Sequence, residues 1–133
     1  MQMSEQNKAI LIIENDKDLA DSIKLYLEDS YKVYITKDPA RITRYISRYH
    51  VKLILTDIDD ASPELQKRLL HLKSSNPDVK IILMYMFLDE DGAQDQPFFK
   101  NADDYIFKPF DADILKSKMD KLFELQPTNT RHN

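Results

Sequence analysis

Apolar and polar positions along the chain alternate between a strand-like and a helix-like period. Ala9–Ile13 reads AILII, a continuous apolar run that predicts a strand covered on both faces. From Asp16 to Glu28 the spacing becomes helical, with Leu19, Ile23, Tyr26 and Leu27 on one side. Lys32–Thr36 alternates, with Val33 and Ile35 facing one way, and predicts a strand. Asp38-Pro39 marks a helix start, a capping carboxylate before proline at the first helical position. Ile42, Tyr45, Ile46 and Tyr49 form that helix's apolar stripe. Val51–Thr56 predicts a third buried strand, which stops at Asp57. Ser62-Pro63 repeats the cap-plus-proline start, and Leu65, Leu69 and Leu72 form the next stripe. Lys80–Met86 predicts a fourth strand. In Asp89–Lys100 the helical pattern is interrupted by Gly92 and Pro97, both poor in a helix interior. Asp104–Phe107 predicts a short fifth strand. Asp111 caps a last helix carrying Leu115, Met119, Leu122 and Phe123.

Strands alternating with helices, each strand apolar, imply an α/β fold: a doubly wound parallel sheet with helices on both faces. The pattern sets a polar segment at 1–8, one domain over 9–125 and a polar tail over 126–133. The whole is 133 residues, 42% of them hydrophobic, enough for one core. No apolar run reaches the ~18 residues of a membrane span, and the first eight residues have no signal-peptide core. With no cysteine, disulfides and thiolate metal sites are excluded. A soluble, cytoplasmic protein is expected. The net charge of −4 argues against a broad nucleic-acid surface. Arg41, Arg44, Arg48 and Lys52 read as a solvated face. The single glycine, Gly92, means turns are made with Asn, Asp, Ser and Pro.

In doubly wound sheets ligands sit beyond the carboxyl ends of the strands. The first strand ends in Glu14-Asn15-Asp16, the third in Asp57 with Asp59 and Asp60 after it, and the fifth in Lys108-Pro109. Acids converging at one mouth suit a hard cation, and a lysine at the same rim can counter the charge of a phosphate.

The strings ILIIEND, LILTDIDD and NADDYIFKPF, in that order and each ending a predicted strand, resemble the signature segments of response-regulator receiver domains. The resemblance covers roughly Ala9 to Leu125. It implies a flavodoxin-like five-stranded sheet of order 2-1-3-4-5 and a role in two-component signalling. Asp57 would accept a phosphoryl group from a histidine kinase or phosphotransfer protein, and a downstream protein would read the change. Glu14, Asn15, Asp57 and the backbone carbonyl of Asp59 would hold Mg²⁺. Lys108 would pair with the phosphoryl group, Pro109 would follow it through a cis bond, and Tyr85 and Tyr105 stand at the switch positions. A homodimer through the last helix and the fourth-to-fifth strand face stays open.

The chain departs from the pattern in several places. Asn15 replaces an acid, so metal affinity should fall unless Asp16 or Asp59 compensates. Tyr85 replaces a Ser or Thr, and no Ser or Thr occurs from Asn76 to Lys108. Met86 replaces a small residue. Asp59-Asp60-Ala61 replaces an apolar pair and proline. Asn101 replaces glycine, where left-handed backbone would suit asparagine next best.

Plainer roles compete at each position. Asp57 could cap a loop, and Lys108 could be a surface lysine, although their register with Glu14 argues otherwise. Tyr105 fits a core aromatic as well as a switch. Tyr85, Met86 and Phe87 fit ordinary packing under the fourth helix, and His50, His71 and His132 fit surface roles. Two functional alternatives follow. One is a pseudo-receiver, an interaction module that works without phosphorylation. The other is a phosphatase, because Asp57-Ile58-Asp59 is similar to the DxD nucleophile motif of haloacid-dehalogenase-type phosphatases. That motif, however, belongs on the first strand of its sheet. No turnover enzyme is expected beyond self-phosphorylation.

Overall fold

The computed structural model describes residues 8–59, 61–86 and 97–124. The polar segment 1–7, Asp60, most of the interrupted pattern over Asp89–Lys100 with Gly92, Phe87, and the tail with His132 lie outside the described residues.

Five parallel strands form one sheet in the order β2-β1-β3-β4-β5: β1 Ala9–Ile13, β2 Lys32–Thr36, β3 Val51–Asp57, β4 Lys80–Tyr85 and β5 Asp104–Phe107. β1 is buried along its whole length and β3 along most of it, which is why both read as unbroken apolar runs. Side chains alternate between two cores. Ile10, Ile12, Leu53, Leu55, Ile82 and Met84 pack under helices α1 (Lys17–Leu27) and α5 (Ala112–Glu124). Leu11, Ile13, Ile54, Ile81 and Leu83 pack under α2 (Ile42–Tyr49), α3 (Pro63–Ser75) and α4 (Pro97–Lys100).

The caps set the helix starts. Asp16 accepts from Leu19 N at 3.1 Å and Ser62 from Leu65 N at 3.1 Å. Asp38 accepts from Ala40 N at 2.9 Å, but it caps a short 3₁₀ turn, Pro39–Arg41, that leads into α2. The stripes of α3 and α5 are buried as their spacing predicts. Two stripes are narrower than expected. Tyr26 is 42% exposed, because Ala20, Ile23 and Leu27 make the contact with the sheet, and its hydroxyl instead donates to Asp113. Tyr49 is 39% exposed and stacks on Tyr34, with ring centroids 4.5 Å apart. Arg41, Arg44, Arg48 and Lys52 are exposed, as a solvated face requires.

The left-handed geometry expected at Asn101 is not there. Among the described non-glycine residues only His50 has positive φ, at 56°. His50 is the single residue between α2 and β3, and that reversal needs a left-handed step even without glycine. Asn101 instead donates through its amide to the carbonyls of Leu69 at 3.1 Å and Leu70 at 2.6 Å on α3. Beside it, the Asp103 carboxylate accepts from Ile81 N at 2.8 Å and from Lys73 Nζ at 2.6 Å. Asp103 N donates back to the Ile81 carbonyl at 2.7 Å, so the entry to β5 is tied to the start of β4.

Candidate functional site

The strand order places β1 and β3 side by side, with Ile13 opposite Thr56, so Glu14 and Asp57 emerge together at one mouth. Lys108 arrives from beyond the end of β5. Its Nζ donates to Glu14 Oε1 at 3.0 Å and to Asp57 Oδ1 at 2.7 Å. All three side chains are largely sheltered, at 10% exposure for Lys108, 4% for Glu14 and 13% for Asp57. The Lys108–Pro109 peptide is cis.

Close burial of Lys108 against Asp57 shapes the acidity of these two groups. Burial pushes the Asp57 carboxyl up, against the hydrogen bond and charge of Lys108, and the charges of Glu14 and Asp59 push it further up. For Lys108, burial acts downward, but the hydrogen bonds and charges of Asp57 and Glu14 outweigh it and hold the ammonium above its ordinary range.

A cavity of about 230 Å³ opens over Asp57, lined among others by Glu14, Asn15, Lys37, Ala61 and Ser62. Lys37 was not a sequence candidate. It follows β2, whose pairing beside β1 brings it to the mouth, and only the strand order could have revealed it. A larger hollow, about 440 Å³, lies at the other end of β1 between Tyr31, Lys116 and Phe123. There Lys116 pairs with Asp120 at 3.0 Å, and none of the strand-end residues takes part.

The donor chemistry at the mouth fits a hydrated hard cation, with limits. Glu14, Asn15 and Asp57 share the cavity, so two carboxylates and an amide face a space large enough for water. Glu14 is already engaged on both oxygens, since Oε2 accepts from Asp16 N at 3.0 Å. Neither expected substitute for the missing acid lines the cavity. The Asp16 carboxylate caps α1, and that of Asp59 accepts from Met86 N, at 3.0 Å and 2.9 Å to its two oxygens. Among the described residues no cluster of three or more acidic or histidine ligands forms.

At the end of β4 the surroundings are aromatic. The Tyr85 ring lies 6.3 Å from Phe99 and 5.3 Å from Phe107, an edge contact. Tyr105 stacks on Phe99 at 4.6 Å and its hydroxyl donates to the Phe99 carbonyl at 2.9 Å. Burial, then the nearby Asp104, Tyr85 and Asp103, push the Tyr105 phenol up. Tyr85 is therefore packed, as expected, but Met86 is 44% exposed rather than tucked under α4, because its neighbour Tyr85 fills that space.

Residues 10–120 match the model of the response regulator receiver domain. The chain is 29% identical over 132 residues to the transcriptional regulatory protein CrdR of Helicobacter pylori, covering 95% of this chain and 60% of that protein. It thus spans about 60% of that relative's length. A CheY-like response regulator receiver domain protein from Methanospirillum hungatei is similar in structure, with TM-score 0.72, 30% identity, and 88% of this chain against 94% of that one. An orphan response regulator of H. pylori shares the fold at TM-score 0.72 and 16% identity, over 86% and 95% of the two chains. No helix among the described residues is long and apolar enough to cross a membrane.

Proposed function

The chain belongs to the response-regulator receiver family of two-component signalling, and from that premise we propose that Asp57 accepts a phosphoryl group from a histidine kinase or phosphotransfer protein. The observation that supports this best is the buried Glu14–Lys108–Asp57 cluster under an open cavity. A carboxylate needs no general base to act as a nucleophile. Its free oxygen attacks phosphorus while the phosphorus–nitrogen bond of the donor's phosphohistidine breaks. The electron pair stays on the imidazole nitrogen, which takes a proton from water. Lys108 keeps the other oxygen in place and counters the charge that arrives.

Glu14, Asn15, Asp57 and the Asp59 carbonyl are the groups that would hold Mg²⁺. Bound there, the cation would neutralise charge on the phosphoryl oxygens. Asn15 leaves that donor set one charge short, and Lys37 adds a cation to the same cavity wall, so metal binding is expected to be weak. The domain that works in this way is proposed to be residues 9–125.

A second reading, an interaction module without a phosphorylation switch, is favoured by Tyr85. Its ring is packed between Phe99 and Phe107, where a small mobile hydroxyl is expected. Incubation with Mg²⁺ and acetyl phosphate, followed by intact-mass spectrometry, separates the two. A phosphoryl adduct absent from Asp57→Ala supports the first. No adduct, together with no beryllofluoride binding, leaves the second.

A further inference from the structure

We propose that Asp59 is a built-in anion that occupies the backbone donor a phosphoryl group on Asp57 would use, and so restrains the loading of its own site. The inference rests on Asp57 being the acceptor. Four observations support it.

The β3–β4 ladder shows which donor is involved. Asp57 lies opposite Met84, and the next rung is closed by Ile58 N donating to the Met84 carbonyl at 3.0 Å. In a parallel ladder the following donor from β4 is Met86 N, which would return to the carbonyl of Ile58. It does not. Both carboxylate oxygens of Asp59 take it instead, at 3.0 Å and 2.9 Å.

The chemistry of the two anions is alike. A carboxylate and a phosphoryl group both accept charge-assisted hydrogen bonds from backbone amides. Among the described residues, the side-chain donors near Asp57 are Lys108 Nζ, already between Glu14 and Asp57, and those of Lys37, Asn15 and Ser62 on the cavity wall, while the Met86 amide is the backbone donor that Asp59 holds. Asp59 thus competes for a group that a phosphoryl oxygen needs.

The Asp59 carboxylate also adds a negative charge two residues from the acceptor. Phosphorylation would add roughly another −1.5 to −2 at that place. Finally, the segment is held on both sides. Lys108 N donates to the Tyr85 carbonyl at 2.8 Å, one residue before the amide that Asp59 binds. Moving Asp59 away is therefore the simplest way to free the donor without breaking the sheet.

A purely structural cap would serve as well with an amide oxygen as with a carboxylate, so Asp59→Asn and Asp59→Ala separate the two roles. The initial rate of adduct formation is measured with acetyl phosphate and Mg²⁺ for the full chain and both variants. Thermal melts establish that each is folded, and hydrogen exchange of the Met86 amide reports the contact itself. The expected order is wild type slowest, Asn faster and Ala fastest, by roughly tenfold for the loss of one charge-assisted bond, with faster Met86 exchange in Ala. Equal rates with an adduct at Asp57 in all three would overturn the restraint and leave Asp57 as acceptor. Slower loading in the variants would overturn it too, because Asp59 would then be assisting. No adduct in any of the three, with all folded, removes the acceptor role and this inference with it. If Asp59→Ala fails to fold, the Asn variant decides alone: a wild-type rate overturns the restraint.

Discussion

On the β1–β3–β5 side of the mouth, Lys108 sits between two sheltered carboxylates at 2.7 Å and 3.0 Å. At the end of β4 stand a packed phenol ring and an exposed Met86 whose amide is held by a carboxylate. The first side is built from buried, paired charges. The second carries, at Tyr85, a packed ring in place of a small hydroxyl. On the function proposed above, the first would be the loading half and the second the sensing half, and the two can be tested separately.

The largest expected effect comes from removing the cation. Lys108→Ala leaves Glu14 and Asp57 as sheltered charges without their shared partner, and should lower stability by about 3 kcal/mol at neutral pH, measured by urea unfolding. A loss under about 1 kcal/mol would mean that water screens the pair and that the loading half is looser than its geometry. Next is Tyr85→Thr, which removes the ring contacts with Phe99 and Phe107 and should cost about 1–2 kcal/mol. The same variant should sharpen the contrast. Beryllofluoride should shift the Tyr105 ring resonances more in Tyr85→Thr than in wild type, and equal shifts would show that the sensing half already responds.

The smallest effect is on pH dependence. The Asp57 carboxyl is held above its unfolded value, so the folded state keeps that proton longer than the unfolded state does. Its contribution is fully present below the ordinary carboxylate pKa, about 3.9, and is lost as pH rises through the raised folded value. Asp57→Asn should remove that downward slope and raise stability at neutral pH relative to wild type, read as melting temperature from pH 4 upward. Lys108 has the same sign at the other end of the scale. Its raised pKa contributes stability that is present at neutral pH and lost in the alkaline range above its ordinary value.

The strands were readable because burial on both faces leaves an unbroken apolar signature, as in Ala9–Ile13 and Leu53–Thr56. Two starts were readable from short-range chemistry, a capping residue before proline at Asp38 and at Ser62, the first opening a 3₁₀ turn and the second a helix. Glu14, Asp57 and Lys108 were found because a parallel sheet must bring its strand ends together. Contacts distant in sequence were not readable. Asp59 and Met86 are 27 residues apart, and nothing local indicates that the carboxylate of one will close the ladder of the other. His50 could have been found, since a helix ending at Tyr49 and a strand starting at Val51 leave only one residue to reverse the chain. Asn101 misled because a single residue type suggests both left-handed backbone and a side-chain donor, and here α3 supplied carbonyls for the donor.

The tie between Asp103 and the start of β4 has a mechanical side. With Ile81 bonded to Asp103 through both its N–H and its carbonyl, and Lys73 bracing the same carboxylate, the lower end of that strand is clamped. Any displacement at Tyr85 and Met86 must then swing the upper end as a lever about this fulcrum. The stroke at the rim is limited by how far a strand of six residues can tilt without tearing its own rungs.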